Sequence, residues 1–467
     1  MSAKFGIVVL GIGAWGWGAW SFGGLTVDRW GGESAQVEVA DDGDSKTVVV
    51  ITHPQFPMAE VQVGSNLLMV PVGEEEAVTV QEGFPALPII SRMVLVHSTA
   101  GVHLDLKRLK VWEKEAMPLF FNPPADKPED EPGEPSPQYL NWQGWWPPQP
   151  VVVSEPMIMR GYRMVAVSIF PVQVHPPTGR VKFNEEVEFQ LVYEGEGVNP
   201  VIDPNRPRPS SSFDRIVDHL VVNPPHRDRG MPKRGSYLVV YNNAQNVRNT
   251  IEPLLQWRAR QGWEVRTIAI QGNPSADQVK QLIQNAYNQW LNPPEMLCII
   301  GDATGSFPVP AWEGVTDFRY AQLEGNDWLP EVHFGRISAE DIQTLQRVIG
   351  RLVSYEADPY MEDINWYRAG MVVAGSGTSG ISTISISRWI KRETRDRWGV
   401  NDVHEWYYNA PYQGQTVPQF FTNEFQRGIL FSTYRGWIGV EGTDVNVIMN
   451  FRANPRMPFA TIITCNT

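Results

Sequence analysis

The chain ends in "PFATIITCNT", and its most reactive side chain, Cys465, stands at the C-terminal end of that run. Pro458 to Thr464 is small, apolar and β-branched, the pattern of a buried strand. Ligands of an open parallel sheet bind beyond the carboxyl ends of its strands, so a thiol at such a tip is placed for chemistry. The preceding strand, "GILFSTYRG", runs into the Gly-containing turn of "STYRGWIG". A thiol at one strand end and a glycine turn at the next is the layout of a nucleophile beside an oxyanion site. A base is missing. His404, in "DVHEWYY", is the nearest histidine, and none follows it. It lies on a different strand and is either a substitute base or a strand-face histidine with a local partner. Arg435 is next to the turn. It is either a surface arginine or a cation that favours the thiolate.

Two further features carry chemical side chains. "CIIGDATGSFPVP" places Asp302 just past a strand, and "TDFRYAQLEGNDWLPEV" clusters Asp317, Glu324, Asp327 and Glu331. The cluster has three readings: a substrate pocket, a site for a hard cation held by carboxylates and carbonyls, or turn chemistry. Asp317, Asp327 and Glu331 are the candidate substrate contacts. The spacing fits no fixed metal-loop template, so no metal ligand and no cofactor is assigned; a structural calcium ion has no motif behind it. The other cysteine, Cys298, lies inside "EMLCIIGD" and reads as a small hydrophobe in a buried strand.

The elements that must position these residues alternate between strand and helix. "SYLVVY", "WEVRTIAI", "EMLCIIGD" and "PEVHFGRIS" read as strands. Helices fall over Thr250 to Gln261, Ser275 to Leu291 (with a serine cap) and Ala339 to Glu356. The cycle then restarts with strands "AGMVVAG", "DVHEWYY", "GILFSTYRG" and "FATIITC" and helices over Thr383 to Trp398 and Val417 to Arg427. Continuous apolar strands alternating with helices predict a parallel sheet covered on both faces. The restart predicts two related α/β halves, 235–360 and 361–467. Upstream, 45–198 shows strands without helical periodicity and predicts an all-β, sandwich-type domain. Pro123 to Gln138 interrupts it as an acidic, proline-rich exposed loop. The arginine- and proline-rich stretch 199–234 reads as a linker, either solvated or a protease-accessible joint.

With 467 residues, 42% hydrophobic and 19% charged, the chain has the composition of a soluble globular protein with room for several cores. A net charge of -13 argues against nonspecific nucleic-acid binding. Residues 1–24 carry one early cation, Lys4, followed by an uncharged apolar run, the order of a signal peptide or an uncleaved membrane anchor. Membrane contact follows only if that segment is retained. Two cysteines in an exported chain do not make a disulfide scaffold. The chain stops two residues past Cys465 and reads as truncated after that strand. One face of the last strand is then expected to lack cover, at about 25 cal/mol per Å² of wet apolar area, with poor solubility as the consequence.

Seven stretches in this order, "SYLVVY", "LLQWRARQGWEV", "CIIGDATGSFPVP", "TDFRYAQLEGNDWLPEVHFGRIS", "SYEADP", "YRGWIG" and "MPFATIITCNT", resemble the catalytic domain of the gingipain family of cysteine peptidases. The β-rich region before them resembles that family's propeptide. The resemblance implies a caspase-like fold and a secreted or cell-surface cysteine endopeptidase made as a zymogen, with polypeptide substrates. It implies that Cys465 is the nucleophile and that the preceding strand ends in a Gly-His turn supplying the base. That pair falls on Gly436 and Trp437, and an indole N–H only donates. The oxyanion donors implied are the backbone N–H groups of Cys465 and Ile438, where the family has glycine at the second position. Without a base the expected activity is impaired. The alternative is a catalytically inactive homologue that binds a partner, suggested by Trp437 and by the aromatic group Trp142, Trp145 and Trp146.

Overall fold

The structure is a computed structural model. It describes residues 21–22, 25–26, 35–52, 58–63, 66–71, 77–124, 132–226, 233–244, 246–375, 382–449, 455–456 and 458–465. Most of 1–24 therefore lies outside the described residues, as does 125–131 of the acidic loop. Among the described residues no helix is long and apolar enough to cross a membrane.

The N-terminal region is two five-stranded sheets packed face to face. One is built around Tyr162–Ile169 and Pro88–Leu95, the other around Arg180–Glu196, Lys46–Thr52 and Ala100–Lys114. Alternation along Arg180–Glu196 turns Val187, Phe189 and Leu191 inward, since successive side chains of a strand face opposite ways. They meet Ile90, Val94, Val165, Val167 and Ile169 of the other sheet in one core, which makes the region a sandwich. A second core gathers Phe84, Tyr139 and Trp146, with Trp142 against it. Trp146 is only 6% exposed, and the Lys182 ammonium lies 4.4 Å from the Trp145 ring. Of the aromatic group suggested as a binding surface, Trp146 is thus buried and Trp142 packs against the core, while Trp145 is half-buried beneath Lys182.

The stretch read as a loose linker is not loose between 199 and 226. Helix α1, Ser211–Leu220, starts at Ser210, whose hydroxyl accepts from Phe213 N. Such a cap is worth about 1 kcal/mol. Phe213 and Val217, one helical turn apart, are buried with Met93, Met159, Met164 and Leu329. Flanking Pro and Arg disguised this amphipathic turn in the sequence.

The α/β region follows the predicted alternation. Its strands are β1 (Ser236–Asn242), β2 (Glu264–Ile270), β3 (Pro294–Ile300), β4 (His333–Ile337), β5 (Ala369–Ala374), β6 (Asp402–Tyr407), β7 (Phe431–Ile438) and β8 (Phe459–Cys465). They form two four-stranded sheets, ordered β2-β1-β3-β4 and β6-β5-β7-β8, with every pairing parallel. The two halves thus share one strand order. In the first, α3 (Ala276–Gln289) covers one face and α2 (Val247–Arg260) with α4 (Ile342–Ala357) the other. In the second, α5 (Ser382–Trp398) and α6 (Val417–Arg427) take opposite faces of β5. On the edge strand β8, Phe459 is 69% exposed, and Ile462 and Ile463 are exposed too.

Candidate active site

Strands β7 and β8 are parallel neighbours, so their C-terminal ends share a rim. Their register runs without interruption from Phe431↔Phe459 to Arg435↔Ile463 and then slips, so that Ile438 stands opposite Cys465. Three steps on β7 match two on β8, which makes Gly436–Trp437 a bulge at the rim. The bulge sets Trp437 level with the end of the thiol-bearing strand. Trp437 is 48% exposed and Ile438 60%. The chain leaves β7 through Gly439, whose φ of 61° suits glycine. Thr464 Oγ1 donates to Gly439 O at 3.1 Å and ties the end of β8 to this turn.

Tyr434 explains why glycine precedes the tryptophan. A Cβ on Gly436 would stand 2.3 Å from the Tyr434 hydroxyl oxygen, and a Cβ on Gly375, just past β5, would stand equally close. The buried phenol therefore lies wedged between two glycines, and its oxygen accepts from Glu441 N at 3.1 Å. Sequence reading passed over this residue, although a Tyr two places before Gly at a strand end was there to be read. Gly375 N donates to Arg435 O at 2.9 Å and joins β5 to the same rim. The Arg435 guanidinium donates to Gly436 O at 3.1 Å and makes no ion pair among the described residues. The loop leaving β7 carries the carboxylates of Glu441 and Asp444, the latter accepting from Val447 N at 2.9 Å.

His404 is not at this rim. It lies on β6, the edge opposite β8, and pairs in register with Met371 near the start of β5. Its Nδ1 is 2.8 Å from Glu424 Oε1, its Nε2 is 3.3 Å from Asp402 Oδ1, and its ring stacks on Tyr412. Two strands and the length of the sheet separate it from Cys465, so it cannot serve as the base. It is the strand-face histidine with local partners.

The candidate substrate contacts are engaged internally. Asp317 makes a two-pronged ion pair with Arg336, at 2.7 Å to Nε and 2.6 Å to Nη2. Asp327 Oδ2 accepts from Ile158 N and Asn199 Nδ2, each at 2.8 Å, and so fastens the N-terminal region to this loop. Glu331 is fully buried, and its Oε2 accepts from Leu323 N at 2.5 Å and Glu324 N at 3.0 Å. Burial pushes its carboxyl well above the ordinary carboxylate range. Glu324 pairs with the buried Arg208 and accepts from the Tyr287 hydroxyl at 2.9 Å. Asp302 accepts from Thr304 N at 3.2 Å and from the Ser338 hydroxyl. No group of three or more His, Cys, Asp or Glu able to hold a metal occurs among the described residues. Cys298 is buried in β3, and burial pushes its thiol up to about 11.

Residues 231–467 match Peptidase family C25, and residues 29–199 match its propeptide, Propeptide_C25. Gingipain R2 of Porphyromonas gingivalis is 23% identical over 422 residues, 87% of this chain and 56% of that protein. Lys-gingipain of the same organism is 23% identical over 270 residues, 55% of this chain and 15% of that protein. The chain spans about half the length of the gingipain R2 relatives it matches. Among solved structures, the Arg-specific cysteine proteinase gingipain R (RgpB) aligns at 20% identity with a TM-score of 0.43, over 50% of this chain and 55% of that one. The complex of RgpB pro- and mature domains aligns at 22% identity with a TM-score of 0.36, over 41% of this chain and 98% of that one. The propeptide match covers the sandwich and the peptidase match covers both parallel sheets: the chain belongs to peptidase family C25.

Proposed function

We propose that this chain is a gingipain-type cysteine peptidase unit whose nucleophile, Cys465, acts without a histidine base and therefore slowly. One observation carries the reading: the strand register that sets Cys465 opposite Ile438, with Gly436–Trp437 bulged beside it on the same rim. Attack of a Cys465 thiolate on a peptide carbonyl would form a tetrahedral oxyanion within reach of backbone N–H groups at Ile438 and Cys465, which do not depend on side-chain type. A free thiol has a pKa of about 8.5, so only a few per cent is thiolate at neutral pH. General-base help is typically worth about 10²–10⁴-fold, and Trp437 cannot supply it. The positive charge of Arg435 at the same rim favours the thiolate and offsets part of that loss. Polypeptides are the substrates, the product is exported as a zymogen, and its place is outside the cell or on its surface. The test is labelling with a thiol-directed peptidyl probe across pH 6–9: modification of Cys465 is expected, and none at any pH removes the reading.

A second reading keeps the fold and drops the chemistry: a homologue that binds a partner at this rim. The exposed Trp437 and Ile438 favour it, being large apolar side chains beside a Gly turn. The tryptophans of the sandwich no longer support it. Efficient peptide cleavage by the wild-type chain would remove this second reading.

A further inference from the structure

Helix α4 buries Leu345 and Ile349 and packs Ile342, Leu352 and Val353 against the first sheet. Its outward side carries a continuous stripe. Gln343, Gln346, Arg347, Gly350 and Arg351 are exposed and line an open groove of about 650 Å³. Residues three and four apart are neighbours on a helix surface, so these five lie side by side. They form two rows. Gln343, Arg347 and Arg351 make a raised row of long polar side chains, and Gln346, Gly350 and the exposed Ser354 make a lower row beside it.

Both rows have features that the fold itself does not use. Gly350 stands inside a 16-residue helix, where glycine is less favourable than alanine. No internal contact asks for it, since a Cβ there would meet no atom within 4 Å. Neither Arg347 nor Arg351 has an ion pair among the described residues, and Arg347 donates only to the Thr344 hydroxyl at 3.1 Å. No acidic residue occurs from Ile342 to Tyr355, although the chain has 52 acidic residues against 39 Lys and Arg. We propose that this stripe docks an acidic helix of a partner protein, with carboxylates one turn apart meeting Arg347 and Arg351 and the partner's backbone closing on the notch at Gly350. Charge complementarity names the partner: a guanidinium binds a carboxylate through two parallel N–H bonds, and Arg347 and Arg351 repeat that offer at a spacing of four. The notch says that the partner is a helix, because a row lacking side-chain bulk admits the ridge of a second helix. A small anion needs the guanidiniums and has no use for the notch. The inference goes beyond the proposed function: α4 belongs to the first half, and the docking asks nothing of Cys465.

The test pans a displayed library of helical peptides, randomised along one face, against the full-length chain. Helices with Asp or Glu four residues apart are expected to be selected. Their affinity is expected to fall at least tenfold on Arg347→Glu or Arg351→Glu, and at least tenfold on Gly350→Leu, which fills the notch. A library that yields no binder, selected helices that lack acids, or helices that bind all three variants as tightly as wild type overturn the proposal. Phosphatidylserine vesicles bound by wild type and by Gly350→Leu but not by Arg351→Glu overturn the polypeptide partner in favour of a membrane surface. Urea melts read the notch separately. Gly350→Ala is expected to raise the midpoint, because the helix gains a better former and no contact is lost. A lowered midpoint would show that the glycine serves the fold, and the inference of close approach from outside falls with it.

Discussion

Restoring an imidazole at the bulge is the sharpest test of the site. Trp437→His places a proton acceptor on the β7 bulge, beside the end of β8. The stability cost is bounded by burial. Trp437 is 48% exposed, so roughly half of an indole's ~200 Å² is covered, about 100 Å² or ~2.5 kcal/mol as an upper limit. The catalytic gain expected from a general base is about 10²–10⁴-fold, or ~3–5 kcal/mol of barrier at ~1.4 kcal/mol per tenfold. The stability cost does not offset that gain, since a domain with ~5–15 kcal/mol of stability stays folded after the change. Two assays read it. Hydrolysis of a fluorescent casein substrate should rise at least 100-fold, and Cys465→Ala in the same background should abolish the rise. The pH profile of Cys465 alkylation should shift to lower pH relative to wild type, because a neighbouring imidazolium holds the thiol deprotonated. A variant that melts cooperatively, keeps Cys465 reactive, and shows neither change would refute the side-by-side placement.

Three further outcomes follow from the surroundings. Gly436→Ala should destabilise the chain by about 1–3 kcal/mol in urea melts, because the new methyl meets the wedged Tyr434 hydroxyl at 2.3 Å; an unchanged midpoint would show that the phenol can move aside. Glu331→Gln should gain on wild type as pH rises from 5 to 8. The folded chain holds its Glu331 proton above the unfolded pKa of 4.5, so wild-type stability falls as pH climbs toward the raised folded value, whereas Gln has no proton to lose. A pH-independent difference in melting temperature would contradict burial as the cause. Cys298, pushed up to about 11, should resist iodoacetamide at pH 8 in the native chain and react once it is unfolded; native labelling would place it outside the core.

Local patterns in the chain announced much of the fold. Continuous apolar strands and capped amphipathic helices foretold the parallel sheets, and their repetition suggested two related halves; the strand order they share is read only from the structure. The helix of 211–220 escaped because prolines and arginines on either side hide its Phe213/Val217 spacing. The aromatic cluster of the sandwich was misjudged because residue type alone does not say whether a tryptophan is covered. The acidic loop stayed open between three readings for a related reason. Carboxylates suit a ligand or a partner equally, and the partner of Asp327 is a backbone N–H 169 residues upstream.

The amino-acid order by itself determined that a thiol ends one strand and that an indole follows the glycine of its neighbour, because both are matters of residue identity within short apolar runs. Tertiary structure decided which groups meet. It put His404 on the far edge and at the other end of the sheet, joined the sandwich to the first half through Arg160, and turned the acidic loop inward. These outcomes depend on contacts between segments remote in sequence, whose pairing is set by packing and hydrogen-bond satisfaction across the whole chain rather than by any local pattern.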